Sequence, residues 1–170
     1  VTRQQLAERM VGSELPNPQT EESTVTDQVM LDMQGITLVD SRGRELLSNI
    51  NLSIHKGEVL GIAGVEGNGQ AELVESIMGM RDATGTITLG GKDIAQWGTR
   101  ERREAGIGFI PEDRHHHGLL LDAPLWENRI LGHQTLPPSS KGGLIDRAGA
   151  KADTERIVRE YDVRTPTIFT

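Results

Sequence analysis

The residues with the most chemical potential lie between Gly64 and Ala71, in the run GVEGNGQA. Gly64 and Gly69 match the frame of the phosphate-loop pattern GxxxxGK[ST], and Gly67 adds a further glycine. Glycines in such a loop let the backbone aim its N–H groups at an anion. The loop opens a helix, whose N-terminal dipole adds to the attraction. The pattern's two charged or metal-binding side chains are replaced. Gln70 stands at the lysine position and carries no charge, and Ala71 stands at the hydroxyl position and cannot ligate a metal. A hydrogen bond to a charged group is worth roughly 1.5–3 kcal/mol. Losing two costs about 3–6 kcal/mol, on the order of 10²- to 10⁴-fold in affinity. Glu66 places a carboxylate in the loop and opposes phosphate if it points inward. The same residues also read as a glycine-rich strand–helix turn that binds nothing.

Other groups carry weaker signals. His115, His116 and His117 suggest a metal site, but adjacent residues on an extended or turning backbone do not all point one way. No accompanying ligand spacing is present, so a solvated turn is expected and no metal ligand is assigned. Glu112 and Asp113 are adjacent carboxylates without a positioned partner, and no catalytic residue is assigned. Asp113 and Arg114 are expected to form a local ion pair. Arg100, Arg102 and Arg103 are expected on a solvated helix face. Leu119 to Leu121, Leu125 and Trp126 read either as core or as a surface that grips a partner.

Several elements must position the loop. A strand-like run, Glu58–Ala63 (EVLGIA), precedes it, and a helix from Gln70 to Met80 follows, with Leu73, Val74, Ile77 and Met78 on one face. Upstream, from about Val25, Val29, Leu31 and Met33 alternate, as do Ile36 with Leu38 and Ile50, Leu52 with Ile54, which predicts strands. Asp40–Gly43 and His55–Gly57 are turns. Thr86–Leu89 and Lys92–Ile94 form a hairpin about Gly90-Gly91. A charged helix over Thr99–Glu104 and a second buried strand over Ile107–Ile110 follow. A helix over Pro124–Leu131, with Asp122 as its cap, leads to a loop over Pro137–Gly143. A last helix runs from a cap at Asp146 to about Tyr161, with Ala150, Thr154, Ile157, Val158 and Tyr161 in one stripe. Arg164 to Thr170 is read as extended and polar. Residues 1–11 read as helical, with Leu6 and Met10 one turn apart and Gly12 as its end. Residues 13–24, with Pro16 and Pro18, read as linker. The start is thus either the tail of a preceding unit or a flexible terminus. The whole is an α/β phosphate-loop layout, an antiparallel sheet followed by strand, loop and helix, with an incomplete parallel core.

Composition excludes several functions. The chain has 170 residues, a formal net charge of −7 and 3% aromatic residues. That balance argues against a nucleic-acid surface and against base-stacking platforms. There is no cysteine, hence no disulfide or thiolate metal site. No apolar run approaches the ~18 residues of a bilayer span, and the first residues lack a signal-peptide pattern. Any membrane role is expected to be peripheral.

GEVLGIAGVEGNGQAEL, Gly57 to Leu73, resembles the second ATP-binding domain of tandem-domain ABC importers for sugars and nucleosides, whose second half typically carries a degenerate loop. GTITLGGKDI (Gly85–Ile94) is similar to the hairpin after the phosphate-loop helix. GIGFIPEDRHHHGLLLD (Gly106–Asp122) resembles the Q-loop segment, APLWENRIL (Ala123–Leu131) the start of the helical subdomain, and RQQLAERMVG (Arg3–Gly12) the end of the first half. The resemblance implies a P-loop NTPase of the ABC ATPase type. Residues 1–24 would be the tail of the preceding half and a linker, and residues 25–170 the N-terminal portion of the second domain, including part of the helical subdomain. It implies weak ATP and Mg²⁺ binding at Gly64, Val65, Glu66, Gly67, Asn68, Gly69, Gln70 and Ala71. Glu112 replaces the Q-loop glutamine. No aromatic lies between Val1 and Gln96 to stack on adenine, so Arg42 or an apolar contact would serve. Leu119, Leu121 and Trp126 would contact the permease. The implied partners are the first ATP-binding half of the same polypeptide, transmembrane permease subunits and, indirectly, an extracytoplasmic substrate-binding lipoprotein. The implied location is the cytoplasmic face of the membrane. The signature motif, Walker B, its glutamate and the switch histidine do not occur before Thr170, so the chain is expected to be a piece of a larger protein that does not hydrolyse ATP alone. A different class remains open: a structural or regulatory module with a vestigial loop that binds protein and no nucleotide.

Overall fold

The computed structural model describes Gln5, Leu6, Arg9, Met10 and residues 23–170. Gln5, Leu6, Arg9 and Met10 are helical, in keeping with the Leu6–Met10 spacing, and both apolar side chains are exposed. The predicted helix end at Gly12 and the Pro16–Pro18 linker lie outside the described residues.

Alternating apolar residues build one antiparallel sheet of β1 (Val29–Val39), β2 (Glu45–His55), β3 (Thr84–Leu89) and β4 (Lys92–Asp93), in the order β2-β1-β3-β4. Central β1 pairs Leu31 with Ile54, Met33 with Leu52 and Ile36 with Ile50 on one side, and Met33 with Ile87 on the other. The alternation changes phase between Met33 and Ile36. A bulge at Gln34-Gly35 absorbs the change, so that Leu31, Met33, Ile36 and Leu38 all enter the same core. Gly90 and Gly91, at φ 56° and 80°, form the tight turn between β3 and β4. The helix α1 (Gln70–Ile77) lays Leu73 and Ile77 on this sheet, beside Leu47, Ile87 and Ile94.

The helix α2 (Thr99–Glu104) falls where its charges predict, but Arg102 does not lie on a solvated face. It is 3% exposed. Its Nε donates to the Trp97 carbonyl, its Nη1 to Ser76 and Ile77, and its Nη2 to Ile94 and Ala95, at 2.7–3.2 Å. Ser76 and Ile77 sit at the C-terminal end of α1, where carbonyls lack helical partners and the dipole favours a cation. The guanidinium closes that helix end and the exit of the hairpin together.

The two buried parallel strands expected at Glu58–Ala63 and Ile107–Ile110 do not form; both runs are irregular. A parallel strand takes its hydrogen bonds from neighbours and its burial from helices on both faces. Among the described residues the sheet is antiparallel, and nothing in it pairs with either run. Val59 is therefore 96% exposed and Ile110 84% exposed.

A second, smaller core follows. Asp113 caps α3 (Arg114–His117) by accepting from the amides of His115 and His116, and its other oxygen meets His116 Nδ1 at 2.5 Å. The expected partner Arg114 is replaced by His116, because the cap turns the carboxylate along the helix. Pro124, not Asp122, is the N-cap of α4 (Leu125–Ile130). Asn128 on α4 ties down the preceding loop by accepting from the Leu120 amide and donating to the Leu120 and Ala123 carbonyls. The predicted loop at 137–143 contains β5 (Ser140–Lys141), paired with β6 (Leu144–Ile145). Asp146 caps α5 (Arg147–Glu160) through the Gly149 amide, as predicted. Ala150 and Thr154 of its stripe are buried, whereas Tyr161 lies past the helix end and is exposed. Arg129 from α4 and Arg156 from α5 each reach the buried Asp153 carboxylate at 2.7 Å. The 164–170 segment docks on this pair. Ile168 is buried, and the first amides of α4, at Leu125 and Trp126, donate to the carbonyls of Thr170 and Ile168.

Candidate functional site

Gly64 to Ala71 leads from the irregular 58–63 run into α1, so the glycine loop opens a helix as its spacing requires. Gly67 (φ 84°) and Gly69 (φ 99°) take the left-handed conformation that turns successive amides to one side. Gly69 also packs closely on β2: a Cβ there would stand 3.1 Å from both the Leu46 carbonyl oxygen and Leu47 Cδ2. The loop is thereby seated on the start of β2. The amides of Glu66, Gly67 and Gly69 donate to no acceptor among the described residues. Glu66 is exposed and its carboxylate has no partner among the described residues. Ala71 is exposed at the first turn.

Gln70 does something that the sequence pattern does not signal. Its side chain folds back over the loop, where Oε1 accepts from the Asn68 amide at 3.1 Å and Nε2 donates to the Val65 carbonyl at 3.0 Å. A lysine has no acceptor and cannot make the first of these bonds. The loop fits a phosphate through its glycine amides. It does not fit a magnesium ion, because Ala71 supplies no oxygen.

The remaining candidates lie on other elements. Arg42 is exposed in the β1–β2 turn. There Asp40 accepts from the amides of Arg42 and Arg44 and pairs with Arg44 Nε at 3.3 Å. The amide of Arg44, then that of Arg42, holds the Asp40 carboxyl below its ordinary pKa. Arg42's own guanidinium has no ion-pair partner among the described residues. Arg42 precedes Leu46, against which the loop packs, by four residues, a chain reach of about 13 Å. Glu112 is exposed in the segment before α3, without a bonded partner among the described residues. Leu119 and Leu121 are 46% and 64% exposed. Leu119 lines a groove of about 800 Å³ between residues 106–119 and the end of α4. Trp126 takes the core alternative: it is 8% exposed and packs with Ile130, Ala150 and Ile168. Lys151 Nζ lies 5.1 Å from the Trp126 ring and 5.0 Å from Phe169. His115 to His117 are exposed on α3, and no group of three metal-ligating residues occurs among the described residues.

Comparison with known proteins places these features. A family model described as ABC transporter matches residues 47–165, which span the loop, the β3–β4 and β5–β6 hairpins and α5. The guanosine import ATP-binding protein NupO of Bacillus subtilis is 42% identical over 167 residues, covering 98% of this chain and 33% of that protein. The nucleoside import ATP-binding protein NupA of Lactococcus lactis is 35% identical, covering 96% and 32%. The ribose import ATP-binding protein RbsA 2 of Streptomyces coelicolor is 33% identical, covering 94% and 30%. The chain thus spans about a third of the length of the curated relatives it matches. Among solved structures, cbiO1 of Clostridium perfringens, part of the ABC transporter complex cbiONQ, overlays with a TM-score of 0.61 at 20% identity, covering 81% of this chain and 52% of that one. An ATP-binding cassette of an ABC transporter in its ADP conformation overlays at 0.52 and 24% identity, covering 67% and 43%. These overlays concern the fold alone.

Proposed function

The chain belongs to the ABC transporter family, and from that premise we propose that it is a segment of the ATP-binding subunit of an importer for simple sugars or nucleosides. The observation that carries this reading is the glycine loop at the head of α1, with left-handed Gly67 and Gly69 and unspent amides. The relatives named above are import ATP-binding proteins for guanosine, nucleosides and ribose. Within that reading the segment is the second ATP-binding half of a tandem polypeptide, with 25–170 as the front of the domain and 1–24 as the connection from the first half. Its partners are that first half, the permease subunits and, through them, a substrate-binding lipoprotein, at the cytoplasmic face of the membrane. Among the described residues, no helix is long and apolar enough to cross a membrane.

The loop binds nucleotide weakly, because Gln70 brings no charge and Ala71 no metal ligand. Its task is regulatory: occupancy at Gly64–Ala71 is coupled to the permease through Glu112, with Leu119 and Leu121 as exposed contacts and Arg42 toward the base. Hydrolysis belongs elsewhere in the assembly. ATP should raise the melting temperature of the full chain at millimolar concentration, with little added by magnesium. The double change Gln70→Lys and Ala71→Ser should tighten binding and make it magnesium-dependent. No thermal shift in either protein would sink the nucleotide reading. One observation favours a vestigial loop instead: the Gln70 amide already satisfies Asn68 and Val65. The same titration decides between the two.

A further inference from the structure

The Gln70 side chain stands in the loop and bridges it from end to end. One amide group accepts from Asn68 N and donates to Val65 O, so both of its hydrogen-bonding ends are spent on backbone three residues apart. The bridge runs across Gly64. A Cβ at Gly64 would lie 2.4 Å from Gln70 Nε2 and 3.5 Å from Cδ, and would approach nothing else within 4 Å. Gly64 does not have the positive φ of Gly67 and Gly69. What its missing methyl group makes room for is the end of the glutamine side chain.

We infer that Gln70 is a gate on this loop rather than a phosphate ligand: its amide must leave Asn68 and Val65 before a phosphate can take the Asn68 amide together with the unspent glycine amides. The inference rests on the reading that the loop takes nucleotide phosphate. It reverses the expectation for the pattern's lysine position, where truncation removes a ligand and weakens binding. Here the amide competes with the anion. It holds the Asn68 N–H that an anion would use, and it presents no charge in return. Releasing it gives up two neutral hydrogen bonds, each modest in net worth, so the closed state lowers apparent affinity by roughly tenfold.

Two substitutions open the gate by different routes. Gln70→Ala removes the amide. Gly64→Ala keeps the glutamine and fills the space that it occupies, and the atoms displaced are the far end of a flexible side chain. ATP without magnesium is titrated into the full chain and the Asn68 and Gly67 amide resonances are followed. Each variant should bind about tenfold more tightly than the unsubstituted chain. The double variant should gain little over either single one, because a methyl group at residue 64 has nothing left to displace. In the unliganded protein, Gly64→Ala should also move the Gln70 side-chain amide resonances toward those of a free glutamine. Weaker ATP binding by Gln70→Ala, or gains that simply add, would overturn the gate while leaving nucleotide binding intact. No binding by any of the four proteins would overturn the nucleotide reading, and the gate with it.

Discussion

Arg102 illustrates how much one residue can hold when its geometry fits. A guanidinium has five N–H donors in a fixed fork, and here five carbonyls meet them from the end of α1, the exit of β4 and the start of α2. Burial pulls its pKa below the ordinary guanidinium value. Lysine offers three donors from a point and cannot reach all five acceptors. Arg102→Lys should therefore cost about 1–3 kcal/mol, and Arg102→Ala at least about 3 kcal/mol, because carbonyls are left buried without donors. Urea denaturation checks both. Asp113 gives a pH prediction. The His116 ring, then the amides of His116 and His115, hold its carboxyl below the ordinary value of 3.8. A depressed carboxyl stabilises the fold above its unfolded pKa and stops doing so as the pH falls through its lower folded value. Its cap on α3 should thus persist down to about pH 4 and fade only below. A ¹³C titration of Asp113 checks this, and a midpoint above 3.8 would contradict it. Arg102's role was not legible from its neighbours in sequence: it sits among charges that normally face water, and what buries it arrives from residues 76–97.

At the scale of elements, local pattern was sufficient wherever an element satisfies itself or its immediate neighbour. Alternation located β1 and β2, Gly-Gly located the β3–β4 turn, and Asp146 located the start of α5. The glycine spacing located the loop and α1. What pattern missed is non-local. The runs at 58–63 and 107–110 have strand composition but no pairing partner among the described residues, and composition cannot supply one. The 164–170 segment looked like a polar tail because Ile168 is its one deeply buried side chain and its backbone carbonyls, invisible to pattern, do the docking. Ile168→Ala should cost about 2 kcal/mol locally and loosen that segment from α4. In a Trp97→Phe background, Trp126 fluorescence should shift to the red as its cover is lost. An unchanged emission maximum would show that the segment contributes little to the second core.

The described residues form two hydrophobic cores, one under the antiparallel sheet and one between α4 and α5. Charge and composition argued against a nucleic-acid surface, and the glycine loop with its flanks pointed to the family that the comparison then gave. The strand composition of Glu58–Ala63 has a further consequence. It is a short stretch of β-forming residues with Val59 and Ile62 outward and a backbone that no sheet occupies. Such a stretch is a template for copies of itself, and Glu58, whose carboxylate is held at 2.7 Å by the His55 amide, is its one charged side chain. This chain alone should grow thioflavin-positive assemblies at tens of micromolar, and Val59→Lys should suppress them without altering the sheet's circular dichroism. During synthesis the same stretch leaves the ribosome as an adhesive strand that no strand among the described residues covers, so a nascent chain must carry it exposed.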